Sequence, residues 1–561
     1  MSIHRTFSGA DLDTRALDGW SIGLPADATP AEEYAAAELR DWVERATGAR
    51  LRLGAPGRPE AAQVVLANAA GMGEEGFSIE LEPQGLRIQG GRPRGVLYGV
   101  YQFLEEALRV RFLAYHHTHV PSPPPRRIPC GTWAYAPPFS FRWSYYRENA
   151  DYPEFAARLR VNTVSDEPRL GGRTPQHLIN HSVHQWVPFA RWGSTHPEYY
   201  ALYEGKRDTD THGGGPQLCV TNPEVVEVAA RAVIEHLNAH PQLRNISVSQ
   251  ADTARYCHCP ACEAVNEAEG SPMGSNLQFV NAVAERVERI HPQVKVGTLA
   301  YWYTRHRPHH LRPRPNVQIQ LCSIECCTLH AIDSPFCPRN GEFCRDMDEW
   351  AQVCQEIWIW NYNTNFRAYD LPLPNLRSIG RNVHYFLRSG AKGVFMQANG
   401  DGRTGELCDL RNYMIGRMLW DPEQDYHSLM CDFCELHYGP ASNAMLDYIT
   451  MLHDNAEERD VHPNCFPSAA DVGLDAEVSR RIMGHFDRAL AAAPEAEIRS
   501  RVERAWISAH RACIETQAWA DAAERQQIIA RYVELARRHG MTRAAEGRPA
   551  EDFFATLPQD G

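Results

Sequence analysis

The chain has 561 residues, 43% of them hydrophobic and 23% charged, and a formal net charge of −13. That length calls for two to four domains, and the ordinary apolar fraction describes a globular chain. The acidic balance excludes a partner held through its phosphate backbone, which requires a basic surface.

The start, MSIHRTFSGADLDTRALDGW, carries neither an apolar signal core nor a small-residue cleavage site. No apolar run approaches the roughly 20 residues that span a bilayer. The expectation is a cytoplasmic protein with no membrane or nucleic-acid partner. In that compartment the 16 Cys are reduced core residues, metal ligands or catalytic thiols rather than a disulfide framework.

In chain order, residues 31–48 predict a helix with Ala36, Leu39, Trp42 and Val43 on one face and Gly48 as its stop. Strands follow over 64–68, 76–82 and 85–91, then a helix over 94–108. These form a small α/β domain over residues 1–120. The proline-rich 120–129, VPSPPPRRIP, reads as a stiff linker. Beyond it come eight strand candidates, over 139–146, 161–165, 177–186, 245–250, 294–302, 316–325, 356–362 and 393–399. Most are followed by helical patterns, at 223–239, 275–290, 342–355, 375–389 and 407–420. Short β-branched runs alternating with helices predict a parallel sheet. Eight such units over 135–440 predict a closed (β/α)8 TIM barrel. The Ala-, Glu- and Arg-rich stretch from 441 to 561 predicts a helical C-terminal domain, with a surface suited to a homodimer.

Active sites of parallel barrels lie at the C-terminal ends of the strands. There the sequence places two acids, Asp252 and Glu325, among Arg142, His181, His184, Trp302, Asn361, Tyr362 and Asn399. Amides and imidazoles match sugar hydroxyls, and aromatic faces match pyranose rings. Glycosidic cleavage needs one carboxylic acid to protonate the leaving oxygen and a second group to attack or to activate water. Asp252 is the expected general acid and Glu325 the base or nucleophile, with Glu406 in reserve. The structural alternatives are a turn Asp at 252 and an Arg-paired Glu at 325. His181, His184 and Arg142 have structural alternatives too, as core imidazoles and an ion-pair partner. No P-loop, HExxH or dinucleotide fingerprint is present.

CHCPAC at 257–262 sets Cys257, Cys259 and Cys262 at the spacing of a zinc knuckle, with the fourth ligand unassigned and Cys326, Cys327, Cys337 and Cys344 available further on. Catalysis by carboxylates requires no cofactor, so a zinc ion here would be structural. A packed, reduced cysteine cluster is the rival reading.

AEEYAAAELRDWVERATG with GFSIELEPQGLRIQGGRPRGVLYGVYQFLEEAL resembles the non-catalytic α/β domain that precedes the barrel in β-hexosaminidases and family 67 α-glucuronidases. HSVHQWVP, HPEYYALYEGKR, VSQAD, CHCPAC, RPNVQIQLCSIECC, WIWNYNTNF and GVFMQANGDGRTGELCDLRNYMIGRMLWDP resemble the DUF4838 family. The resemblance implies a glycoside-hydrolase-like barrel. Hexosaminidases carry an Asp-Glu pair after their fourth strand, where this chain reads Gln250-Ala251-Asp252. The function expected is therefore a glycoside hydrolase acting on a small oligosaccharide or uronide. The alternatives are a non-catalytic carbohydrate-binding protein on the same barrel and metal-dependent chemistry at the cysteines.

Overall fold

The first predicted helix forms over Pro30–Thr47 in the computed structural model, which describes residues 3–54, 57 and 62–558. Thr29 and Glu32 close a capping box at its start, and Gly48, at φ 78°, turns the chain out of it. Two units make up the chain. One comprises the chain through Arg173, Asn363–His384 and everything from Gln397 onward; the other comprises Thr174–Tyr362 and Tyr385–Met396.

In the first unit a seven-stranded sheet runs in the order His4–Asp13, Arg127–Tyr135, Phe77–Glu82, Gly85–Gly90, Val64–Asn68, Ser21–Gly23, Arg52–Leu53. Phe77, Ile79 and Leu81 alternate inward along one strand, and the helix Gly95–Glu106 packs on that sheet. The 120–129 stretch is not a linker throughout: Arg127 begins a nine-residue strand that extends the N-terminal sheet beyond residue 120. Pro129 is tolerated because it lies opposite Asp11, beside the register shift between Phe7 and Asp11. Beyond residue 425 the chain is mostly helical, and the helices starting at Tyr426, Ala476 and Ala522 are capped by Asp425, Asp475 and Asp521.

The second unit holds a curled parallel sheet in the order Gly393–Gln397, Ile357–Tyr362, Val317–Cys322, Lys295–Ala300, Asn245–Ser247. Every residue of Val317–Cys322 is buried, as a strand covered on both faces requires. The helix Met273–Glu288 supplies one cover through Leu277, Val280, Val283, Ala284 and Val287.

This curled sheet is a half-barrel, and among the described residues not all eight of the predicted barrel strands form. Predicted strand 139–146 forms as Phe141–Tyr145, within the first unit, but 161–165 and 177–186 contain no strand. Residues 177–182 nevertheless lie along the Asn245–Ser247 strand. His177 N–H donates to Asn245 Oδ1 at 2.7 Å and Asn180 N–H to Ser247 Oγ at 3.1 Å. Asn245 Nδ2 and Ser247 Oγ in turn donate to the carbonyls of His177 and Asn180. Side chains thus satisfy the backbone groups that a ladder would otherwise pair, and the strand becomes a strap.

Candidate functional site

Three neighbouring strands of the second unit bring the site together. Asp252 follows Asn245–Ser247, Tyr301 and Trp302 follow Lys295–Ala300, and Glu325 follows Val317–Cys322. The 295–300 strand lies between the other two, so its tip separates the two predicted acids.

The loop carrying Asp252 is fixed from behind. Its own N–H donates to the Gly213 carbonyl at 2.7 Å. The buried Gln217 amide donates to the carbonyls of Ala251 and Thr253, at 2.8 and 2.7 Å, and accepts from Ala251 N–H at 3.1 Å. The Asp252 side chain remains 49% exposed.

His181 Nδ1 lies 2.8 Å from the Gln250 carbonyl. A carbonyl only accepts, so Nδ1 carries a proton, and Nε2 faces Asp252 Oδ1 at 3.5 Å. That distance lies at the outer edge of hydrogen bonding. The His181 ring meets the edge of Tyr301, with centroids 5.4 Å apart. Burial, the Asp252 charge, a hydrogen bond to Asp252 and the Glu325 charge all push the Tyr301 hydroxyl up, which keeps it a donor. Burial together with the Glu325 and Asp252 charges does the same to the Cys322 thiol. Both carboxylates therefore act on one small region.

Glu325 Oε2 accepts from Arg305 Nη1 at 3.0 Å. The same buried guanidinium binds Asp346 at 2.6 Å and Glu342 at 2.8 Å, and the Trp350 indole donates to the Arg305 carbonyl. Glu325 thus combines both sequence readings: it is paired with an Arg, and it still opens outward, 36% exposed.

Trp302 is 50% exposed with φ +52°. A bulky side chain in the left-handed region is held there by its surroundings. His184 is half-buried against the backbone of Gly214, burial and the neighbouring His181 lower its pKa, and its Nδ1 has no hydrogen-bond partner among the described residues. At the next tip Asn361 Nδ2 donates to Ser323 Oγ at 3.0 Å, and Tyr362, 8% exposed, stacks near Trp360.

Two expected sugar-site residues are corrected. Arg142 is buried in the first unit and spends its guanidinium on Glu75, at 2.6 Å, and on the carbonyls of Arg160 and Phe139. Asn399 is also buried there, with Nδ2 bound to the Gly402 carbonyl. The reserve acid Glu406 is buried against Arg411, and Tyr448 donates to it at 3.2 Å. Burial raises its pKa more than Arg411 lowers it, and no face of it reaches solvent for chemistry.

Sequence reasoning missed Gln217 and Arg305. Gln217 acts through backbone carbonyls, which leave no pattern in the chain. Arg305, close after the Lys295–Ala300 tip, could have been found as the cation expected beside Glu325.

The fourth thiol of the cysteine motif is Cys219, not a cysteine after Glu325. Cys219, Cys257, Cys259 and Cys262 are all buried, with sulfurs within 4.8 Å of one another. Among the described residues no helix is long and apolar enough to cross a membrane.

The fold is similar to that of a solved glycosidase. A family GH115 4-O-methyl-α-glucuronidase with specificity for decorated arabinogalactans superposes with a TM-score of 0.55 at 9% identity, over 94% of this chain and 77% of its own. Flavobacterium johnsoniae chitobiase gives 0.48 at 11% identity, over 96% and 91%. Streptomyces plicatus N-acetyl-β-hexosaminidase gives 0.42 at 15% identity, over 77% and 92%. No curated protein matches. The chain belongs to the family described as "Domain of unknown function (DUF4838)", whose model matches residues 112–450. "Glycosyl hydrolase family 20, domain 2" matches residues 19–111.

Proposed function

We propose that this protein is a glycoside hydrolase acting on a small oligosaccharide or uronide, with Asp252 as general acid and Glu325 as its partner carboxylate. The observation that carries the reading is the half-exposed Asp252 carboxyl facing His181 Nε2 at 3.5 Å, two strand tips away from the outward-opening Glu325. The imidazole gives that carboxyl a neighbour able to exchange protons with it. Asp252 protonates the leaving oxygen, and Glu325, oriented by Arg305, takes the proton of the attacking water. Alternate strands of a sheet lie about 9–10 Å apart, and inverting enzymes separate their carboxyl groups by about 6.5–9.5 Å to admit that water. That spacing favours inversion. Trp302 offers a ring face to the sugar, and Tyr301 a hydroxyl donor. The uronide preference draws on the α-glucuronidase of similar fold.

The second reading, a carbohydrate-binding protein without catalysis, is favoured by the hold of Arg305 on Glu325. A panel of aryl glycosides and short uronic-acid oligosaccharides, assayed for both hydrolysis and binding, separates the two. Turnover with one anomer formed first supports the hydrolase; binding of a sugar without turnover of any supports the binder.

A further inference from the structure

Four buried cysteines with no disulfide between them call for an explanation. Cys257 and Cys259 come from the loop after Asp252, Cys262 from the first turn of the helix Pro260–Glu269, and Cys219 from the segment ahead of Pro223–Ala239. Cys219 and Cys259 Sγ are 3.6 Å apart. A disulfide requires about 2.05 Å. Four sulfurs at about 2.3 Å from one tetrahedral zinc ion are separated by about 3.8 Å. Leu202 N–H donates to Cys257 Sγ at 3.3 Å, and Thr221 Oγ1 lies 3.1 Å from Cys262 Sγ, so hydrogen bonds to sulfur are already in place. Ala201, Leu202 and Val220 pack against the thiols, and Arg207 hydrogen-bonds to Cys219.

We propose that Cys219, Cys257, Cys259 and Cys262 bind one Zn²⁺ as a closed tetrathiolate, and that this ion fixes the loop bearing Asp252. Four protein ligands leave no position for water, so the ion is structural. Its link to the acid is short. Gln217, which holds the carbonyls on either side of Asp252, is two residues from Cys219, and Cys257 and Cys259 lie on the same loop as Asp252. The ion closes a clamp of which Gln217 is the other jaw. Nothing in this depends on the protein hydrolysing sugars.

The test is metal analysis of the full chain purified without added metal, with Cys219→Ser and, as a control, Cys431→Ser, a cysteine outside the cluster. One zinc per chain in the wild type and in Cys431→Ser, with less than about a fifth of that in Cys219→Ser, is the expected result. Replacement of zinc by Co²⁺ should give the visible spectrum of a tetrahedral tetrathiolate. That readout stands if Cys219→Ser fails to fold. Removing the metal should speed amide hydrogen exchange across residues 250–259. A folded, metal-free wild-type protein that takes up neither Zn²⁺ nor Co²⁺ would overturn the proposal. So would bound iron in place of zinc, or zinc retained in full by Cys219→Ser.

Discussion

His181 presents only its Nε2 to Asp252, because Nδ1 is committed to the Gln250 carbonyl at 2.8 Å. The imidazole therefore cannot turn away, and Asp252 keeps it as a fixed neighbour beside Tyr301. Replacing His181 with Asn keeps a donor for the Gln250 carbonyl but removes Nε2. We expect kcat to fall about 10- to 100-fold with KM within about threefold, the scale of a group that supports a proton transfer. An unchanged kcat and pH profile would assign His181 to packing alone.

Arg305 holds Glu325 and also neutralises the buried Asp346. Arg305→Met leaves that carboxylate with His306 Nδ1, at 2.6 Å, as its remaining partner, and breaking such a buried pair costs up to about 3–5 kcal/mol. Urea unfolding should show a loss of that size. Arg305→Lys should keep most of the stability yet lower kcat, since a point charge does not reproduce the guanidinium fork.

Trp302 is a case where stability and function should separate. With φ at +52°, Trp302→Gly removes a backbone cost of about 1–2 kcal/mol while losing little burial, since the ring is half-exposed. Thermal unfolding should show Tm unchanged or raised. The KM should rise about tenfold from the lost stacking face, with kcat within about twofold. A lowered Tm and an unchanged KM would make Trp302 a structural residue.

Most of the chain was legible from periodicity. The helices of the N-terminal domain, the buried β-branched strands and the C-terminal helices form where their apolar spacing places them. What escaped was bonding by side chains across long separations. Residues 177–182 look like a strand and run beside one, but Asn245 and Ser247 replace the backbone ladder. The proline-rich 120–129 looks like a linker, yet its last residues open the strand Arg127–Tyr135, where a register shift in a partner far away in sequence accommodates Pro129. Asp252, Glu325, His181 and Trp302 lie near the strand tips where the sequence reading put them, and their roles remain the proposal made above. Arg142 was not, since Glu75, its counter-ion, lies in a different predicted domain.

The first unit carries a pH-sensitive ion pair away from any chemistry. Burial pushes the Glu105 carboxyl up, but Arg160 and Arg417 outweigh it and bring it from 4.5 down to about 2. A depressed carboxyl contributes its stability fully above its unfolded pKa and loses it as pH falls through the folded value. That shift corresponds to about 3 kcal/mol. Unfolding of wild type and Glu105→Gln should therefore differ most at neutral pH. The difference should shrink between pH 4.5 and about 2. A pH-independent difference would remove the linkage.

The central claim rests on Asp252 and Glu325 working as a pair, and the most direct measurement is kcat on the best glycoside for wild type, Asp252→Asn and Glu325→Gln. The account predicts a loss of about 10²–10⁴-fold in each variant, with thermal unfolding unchanged because both side chains are partly exposed. Turnover within tenfold of wild type in both would contradict it and move the chemistry away from these strand tips.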